Sequence, residues 1–245
     1  MARSAGTLTP AMAQYARMKS QHPDAILFFR MGDFYETFND DAKVASKVLG
    51  LTLTARNHGG PDKTPLAGVP HHAVEKYISK LIQSGYKVAV CEQVEDPKKA
   101  KGVVKRDVVE VVTPGTSMLT QTLDSTRNNY IVSLVPGHDH YGLAIVDLST
   151  GEFHVAEMVE ADLVNELNRL SPSEAVVSYG SAEHTEALLL PRYPDITISR
   201  LDEWAFSFDH AHEMLLDHFE THSLKGFGVD DLVAGVAAAG AMLVY

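Results

Sequence analysis

The chain has very little cysteine. Cys91 is its one thiol in 245 residues, so no internal disulfide can form and a reducing cytoplasm is the expected compartment. Long apolar runs are also missing. The longest such stretch, Leu232 to Tyr245, is interrupted by Gly235 and Gly240 and is too short to cross a bilayer. The N-terminus, Met1-Ala2-Arg3-Ser4-Ala5-Gly6, leads into no apolar core of signal-peptide length. A phosphate-binding Gly-x-x-x-x-Gly-Lys-Ser/Thr loop is absent as well, which excludes that form of nucleotide binding. These absences describe a soluble chain that touches no membrane.

Basic residues are scarce, but unevenly so. The whole chain carries 21 Lys+Arg against 32 Asp+Glu, a net charge of −11. Residues 1–118 hold 16 Lys+Arg and 12 Asp+Glu, a net of +4, while the remainder holds 5 and 20, a net of −15. The length allows two ordinary domains, and the charge split favours two. The first half is the one able to approach phosphate; the second would be repelled by it.

The expected division is a domain over 1–115, a polar linker over 116–128 and a second domain over 129–245. Thr9-Pro10 reads as an N-cap and first helical residue, opening a helix to about Gln21 with Met12, Tyr15 and Met18 on one face. Residues 1–8 read as a loose arm. Ala25–Arg30 is a buried strand, and Gly32 permits a sharp turn after it, which places Phe34 and Glu36 near each other at the tip of a strand-to-helix connection. A helix over Asp40–Leu49 capped by Gly50, a strand over Leu51–Ala55, a polar loop over Arg56–Lys63 and a helix over His72–Ser84 follow. Strands over Tyr86–Gln93 and Val103–Thr113, joined by a basic connection (Lys98, Lys99, Lys101, Lys105, Arg106), complete a compact mixed α/β unit.

The second half reads as three successive strands, Tyr130–Val135, Tyr141–Leu148 and Glu152–Met158. A helix near Ala161–Leu170, a strand Ala175–Ser178, a helix near Glu183–Leu190 and a strand Ile196–Arg200 come next. Helices over Phe208–Phe219 and from Asp230 onward close it. Three antiparallel strands followed by alternating helix and strand suggest a ribonuclease-H-like α/β sandwich. The last helix stops in mid-pattern without a cap, and the expectation is a fragment of a longer protein.

Five segments carry a family resemblance. Met31-Gly32-Asp33-Phe34-Tyr35-Glu36 resembles the mismatch-reading segment of the MutS family, a Phe-x-Glu after a Gly-Asp turn. Leu66-Ala67-Gly68-Val69-Pro70-His71-His72-Ala73-Val74, Cys91-Glu92-Gln93-Val94-Glu95-Asp96-Pro97, Val112-Thr113-Pro114-Gly115-Thr116 and Gly226-Phe227-Gly228-Val229 are similar to further family segments in the same order. The resemblance runs from about Thr9 to Tyr245. It departs at His71, where the family has Tyr. It implies a small mixed-sheet α/β mismatch-recognition domain followed by a ribonuclease-H-like α/β connector domain.

By that resemblance Phe34 and Glu36 read mispaired or looped double-stranded DNA. An apolar ring can wedge between base steps from the minor groove, at least cost where pairing is already broken. A carboxylate near phosphates is repelled, and a base atom exposed by a mispair can offset the repulsion with a hydrogen bond. Arg56, Asn57, Lys76 and Arg106 are the candidates for backbone contact, which positions without specifying sequence. The resemblance further implies a MutL-type protein docking on the connector, and ATP with Mg in a C-terminal ATPase domain absent here. It also implies a homodimer formed only through the missing regions. No catalytic residue, metal or cofactor is expected in these 245 residues, and hence no enzyme.

Two other classes compete. Asp147 in Asp147-Leu148-Ser149-Thr150-Gly151, on the first hairpin of a ribonuclease-H-like fold, would suit a metal-dependent nuclease if a second carboxylate met it; Val176 and Val177 supply none, and a turn-forming Asp is the preferred reading. A pure protein-interaction module is the other. The His-rich stretch His210, His212, His218 and His222 has spacing that invites zinc, but Leu216 stands where a His-Glu-x-x-His site needs its second His. It reads as a solvated helix face.

Overall fold

The computed structural model describes residues 8–57, 63–96, 100, 102–117 and 128–245. The expected arm, most of the linker, His58–Asp62, and Lys98, Lys99 and Lys101 lie outside the described residues. The chain divides into two compact units, Met1–Thr122 and Leu123–Tyr245.

In the first unit, α1 (Pro10–Gln21) begins where expected. The Thr9 hydroxyl accepts from the Met12 amide at 3.4 Å, and Met12, Tyr15 and Met18 are its buried stripe. Then come β1 (Ala25–Met31), β2 (Phe34–Phe38), α2 (Asn39–Leu49), β3 (Thr54–Arg56), β4 (Thr64–Pro70), α3 (Val74–Gln83), β5 (Lys87–Gln93) and β6 (Arg106–Val112). The sheet runs β3-β4-β2-β1-β5-β6. β1 pairs with β5 in parallel, and every other pair is antiparallel.

β1 therefore lies inside the sheet with both faces covered, which is why Ala25 to Phe29 is an unbroken apolar run. Leu27 and Phe29 face α1, together with Phe38, Leu66 and Cys91. Ile26 and Phe28 face the other way, with Tyr35, Val69 and residues of α2 and α3. Gly50, at φ 69°, ends α2 in the left-handed conformation that a glycine adopts without strain.

The sequence reading differs from this fold in three places. The segment after Gly32 is a strand of a hairpin, not the tip of a strand-to-helix connection. Thr64–Pro70 is a strand, although its prolines and Gly68 conceal it. Pro65 and Pro70 sit near its two ends, opposite Ala55 and Phe34, where a missing donor is tolerated. β3 is shorter and later than the expected Leu51–Ala55.

The second unit comprises β7 (Tyr130–Pro136), β8 (Tyr141–Asp147), β9 (Glu152–Met158), α4 (Glu160–Leu170), β10 (Glu174–Ser178), α5 (Ala182–Leu189), β11 (Thr197–Leu201), α6 (Phe208–His218) and α7 (Val233–Val244). Its order is β11-β10-β7-β8-β9, with β7, β8 and β9 antiparallel and β7, β10 and β11 parallel. This is the strand order of a ribonuclease-H-like sandwich. Leu163, Leu167 and Leu170 of α4 and Leu188 and Leu189 of α5 cover one face. The apolar stretch at the chain's end is α7, which packs on the other face through Val236, Ala238 and Ala239.

Candidate nucleic-acid interface

The turn between β1 and β2 is built from local bonds. Gly32 takes φ 62° and Arg30 Nε donates to its carbonyl at 2.5 Å. The carbonyl of Asp33 accepts from the amide of His71 at 2.9 Å, tying the hairpin tip to the end of β4. β2 is thus held on both sides. Phe34 lies between Met31 and Pro70, and Glu36 between Phe29 and Gly68.

Strand alternation then puts Phe34, Glu36 and Phe38 on one face. α1 covers the Phe38 end of that face. Beyond α1, Phe34 is 48% exposed, and the Glu36 side chain is 15% exposed. A β-carbon on Gly68 would lie in ordinary contact with Glu36 Cγ, at 3.6 Å. Arg56, at the end of the edge strand β3, places Nη1 3.7 Å from Glu36 Oε1 while its side chain remains 67% exposed.

The opposite face of β2 is clamped. The Tyr35 hydroxyl donates to the Glu92 carboxylate. Arg30 Nη1 reaches the same carboxylate at 3.2 Å and stacks over the Tyr35 ring at 5.4 Å. Burial, then the Glu92 hydrogen bond and charge, push the Tyr35 hydroxyl up to about 12. This cluster fixes the strand from behind and leaves the Phe34 face unobstructed. It did not emerge from sequence patterning, although Glu92 lies within one of the family-like segments.

The four basic or polar candidates separate. Arg56 and Asn57 are exposed and adjoin the Phe34 face. Lys76 is exposed on α3, the helix that covers the other face of the sheet. Arg106 requires correction as a surface contact. It is only 6% exposed. Its Nε donates to the Arg30 carbonyl at 2.6 Å and Nη1 to the Val104 carbonyl at 2.9 Å. The guanidinium lies 5.0 Å from the Phe29 ring centroid, and desolvation lowers its pKa. The Nε bond ties β6 to β1.

In the second unit Asp147 is buried and occupied by its own turn. Its carboxylate accepts from the Ser149 amide at 2.8 Å, the Ser149 hydroxyl at 2.6 Å and the Asn129 amide at 3.1 Å. Burial alone would raise its pKa, but those hydrogen bonds hold it below the ordinary carboxylate value. His210, His212 and His218 pack against Trp204, Phe208 and Phe219. Among the described residues, no group of three or more His, Cys, Asp or Glu is placed to hold a metal ion. Nor, among them, is any helix long and apolar enough to cross a membrane.

A six-stranded mixed sheet presenting an exposed Phe and a recessed Glu on one face, joined in sequence to a ribonuclease-H-like sandwich, defines an α/β protein of two units. Comparison with known proteins makes the assignment specific. Residues 9–121 match the family model of MutS domain I, and residues 129–245 match that of MutS domain II. The chain belongs to the MutS family.

It is 49% identical over 242 residues to a DNA mismatch repair protein MutS of Salinibacter ruber, covering 97% of this chain and 26% of that relative. The corresponding protein of Lachnoclostridium phytofermentans is 47% identical over 242 residues, again 97% of this chain and 26% of the relative. That of Chlorobaculum tepidum is 46% identical over 241 residues, 97% and 27%. The chain thus spans about a quarter of the length of these curated relatives.

Proposed function

We propose that the chain reads mispaired and looped duplex DNA in mismatch repair. The observation that carries this is the half-exposed Phe34 on the same strand face as Glu36, beyond the cover of α1. Phe34 wedges between base steps, and Glu36 bonds a base atom that mispairing exposes. Arg56 and Asn57, with Lys76 further off, contact the phosphate backbone. Residues 1–115 are the reading domain, 116–128 a linker and 129–245 the connector.

The connector, with its excess of acidic residues, is ill suited to phosphate and relays the signal to a MutL-type partner. ATP, Mg and the dimer contacts belong to parts of the cytoplasmic protein outside these residues, and this portion is not itself an enzyme. The test is a photocrosslinker placed at position 34 of the full-length protein. It should capture the mispaired base step in a heteroduplex and nothing comparable in a matched duplex. Equal capture from both duplexes would refute the reading.

A further inference from the structure

We propose that Arg56 is shared between Glu36 and the DNA backbone, so that recognition of a mispair frees one additional phosphate contact. The inference rests on the reading of Glu36 just given. Glu36 is recessed and fixed within β2, held between β1 and β4. Arg56 is exposed on a three-residue edge strand, and its guanidinium leans 3.7 Å from that carboxylate. Of the two, Arg56 is the one free to swing, because its long stem is in solvent.

At 3.7 Å, and with Arg56 largely in solvent, this ion pair contributes little to folding. Its consequence is for DNA. On a matched duplex Glu36 meets no base donor, so the carboxylate retains Arg56 as its counter-ion and Arg56 neutralises no phosphate. On a mispaired duplex the base supplies Glu36 with a hydrogen bond, and the guanidinium is released to a phosphate oxygen, for which its planar fork is suited. Base reading is thereby converted into backbone affinity.

Each phosphate neutralised steepens the logarithmic salt dependence of binding by about 0.9 on B-form DNA. The test measures binding of the full-length protein to a matched oligonucleotide duplex and to one with a single G·T mispair, between about 50 and 200 mM salt. The mispaired duplex should show the steeper slope, by about 0.9. Arg56→Gln should erase the difference by lowering the slope for the mispaired duplex alone. Glu36→Gln should erase it by the opposite route, raising the slope for the matched duplex.

If Arg56→Gln lowers both slopes equally, Arg56 is an ordinary backbone contact and the proposal falls. If it changes neither slope, the proposal falls as well. Failure of the underlying reading looks different: Phe34→Ala and Glu36→Gln would then leave mispair preference intact whatever the slopes. Circular dichroism of Arg56→Gln should match the parent, since the side chain is two-thirds solvated.

Discussion

Phe34 and Phe38 stand four residues apart on the same face of one strand, yet the first is 48% exposed and the second 1%. α1 covers the second and not the first: the Tyr15 ring lies edge-on to Phe38 at 4.8 Å. One ring is therefore part of the core and the other is available for work. Phe34→Ala should change stability by under about 0.5 kcal/mol, as surface substitutions do, while abolishing preference for a mispair. Phe38→Ala should cost about 3–5 kcal/mol. Paired urea denaturation and DNA-binding titrations separate the two, and a large stability loss at Phe34 would contradict the assignment.

Gly142 of β8 sets the spacing between sheet and helix in the second unit. A β-carbon there would come within 2.1 Å of the Ala234 backbone on α7. No flexible side chain can yield, so α7 itself must move. Gly142→Ala should destabilise the second unit by about 2–3 kcal/mol, the upper range for overpacking. The transition of this unit, followed by calorimetry, should move down while that of the first unit stays.

Asp147 links stability to acid. Its folded pKa is depressed by the Ser149 and Asn129 hydrogen bonds acting against burial. A depressed carboxylate contributes stability above its unfolded pKa and loses it as pH falls through the lower folded value. The urea midpoint of the second unit should therefore hold from pH 7 to about 5 and fall below about 4. Asp147→Asn should lower the midpoint at pH 7 and flatten the acid limb. An unchanged limb would show that the carboxylate's bonds do not matter to folding.

The acidic surface predicts a division of labour. Glu160 and Glu183 lie in the first turns of α4 and α5, and Glu166 holds Arg169 at 2.5 Å. Reversing all three charges in the full-length protein should leave mispair binding intact and weaken recruitment of a MutL-type partner, with loss of its salt dependence. Recruitment unchanged with mispair binding lost would overturn the assignment of roles to the two domains.

Much of this architecture is legible in local pattern. The Thr9 cap, the Gly50 stop, the apolar run of β1 and the strand-strand-strand order of the second unit all depend on residues close in sequence. So does the Gly32 turn. β4 was not legible, because Pro65, Gly68 and Pro70 argue against a strand until its partners are known. Arg106 looked like one more charge in a basic connection, and nothing in a linear pattern separates a solvated guanidinium from one enclosed beneath backbone carbonyls.

Sequence by itself determined that a turn precedes Phe34 and Glu36, and that net positive charge is confined to the first half of the chain. These follow from one glycine and a count; that Phe34 and Glu36 share a strand face came from the pairing of β2 with β1 and β4. Only the tertiary structure decided what surrounds them. The order β3-β4-β2 brings Gly68 and Arg56 beside Glu36, and the Glu92 cluster clamps the reverse face. Those neighbours come from strands distant in the chain, whose register is settled by burying both faces of the sheet together rather than by any local preference.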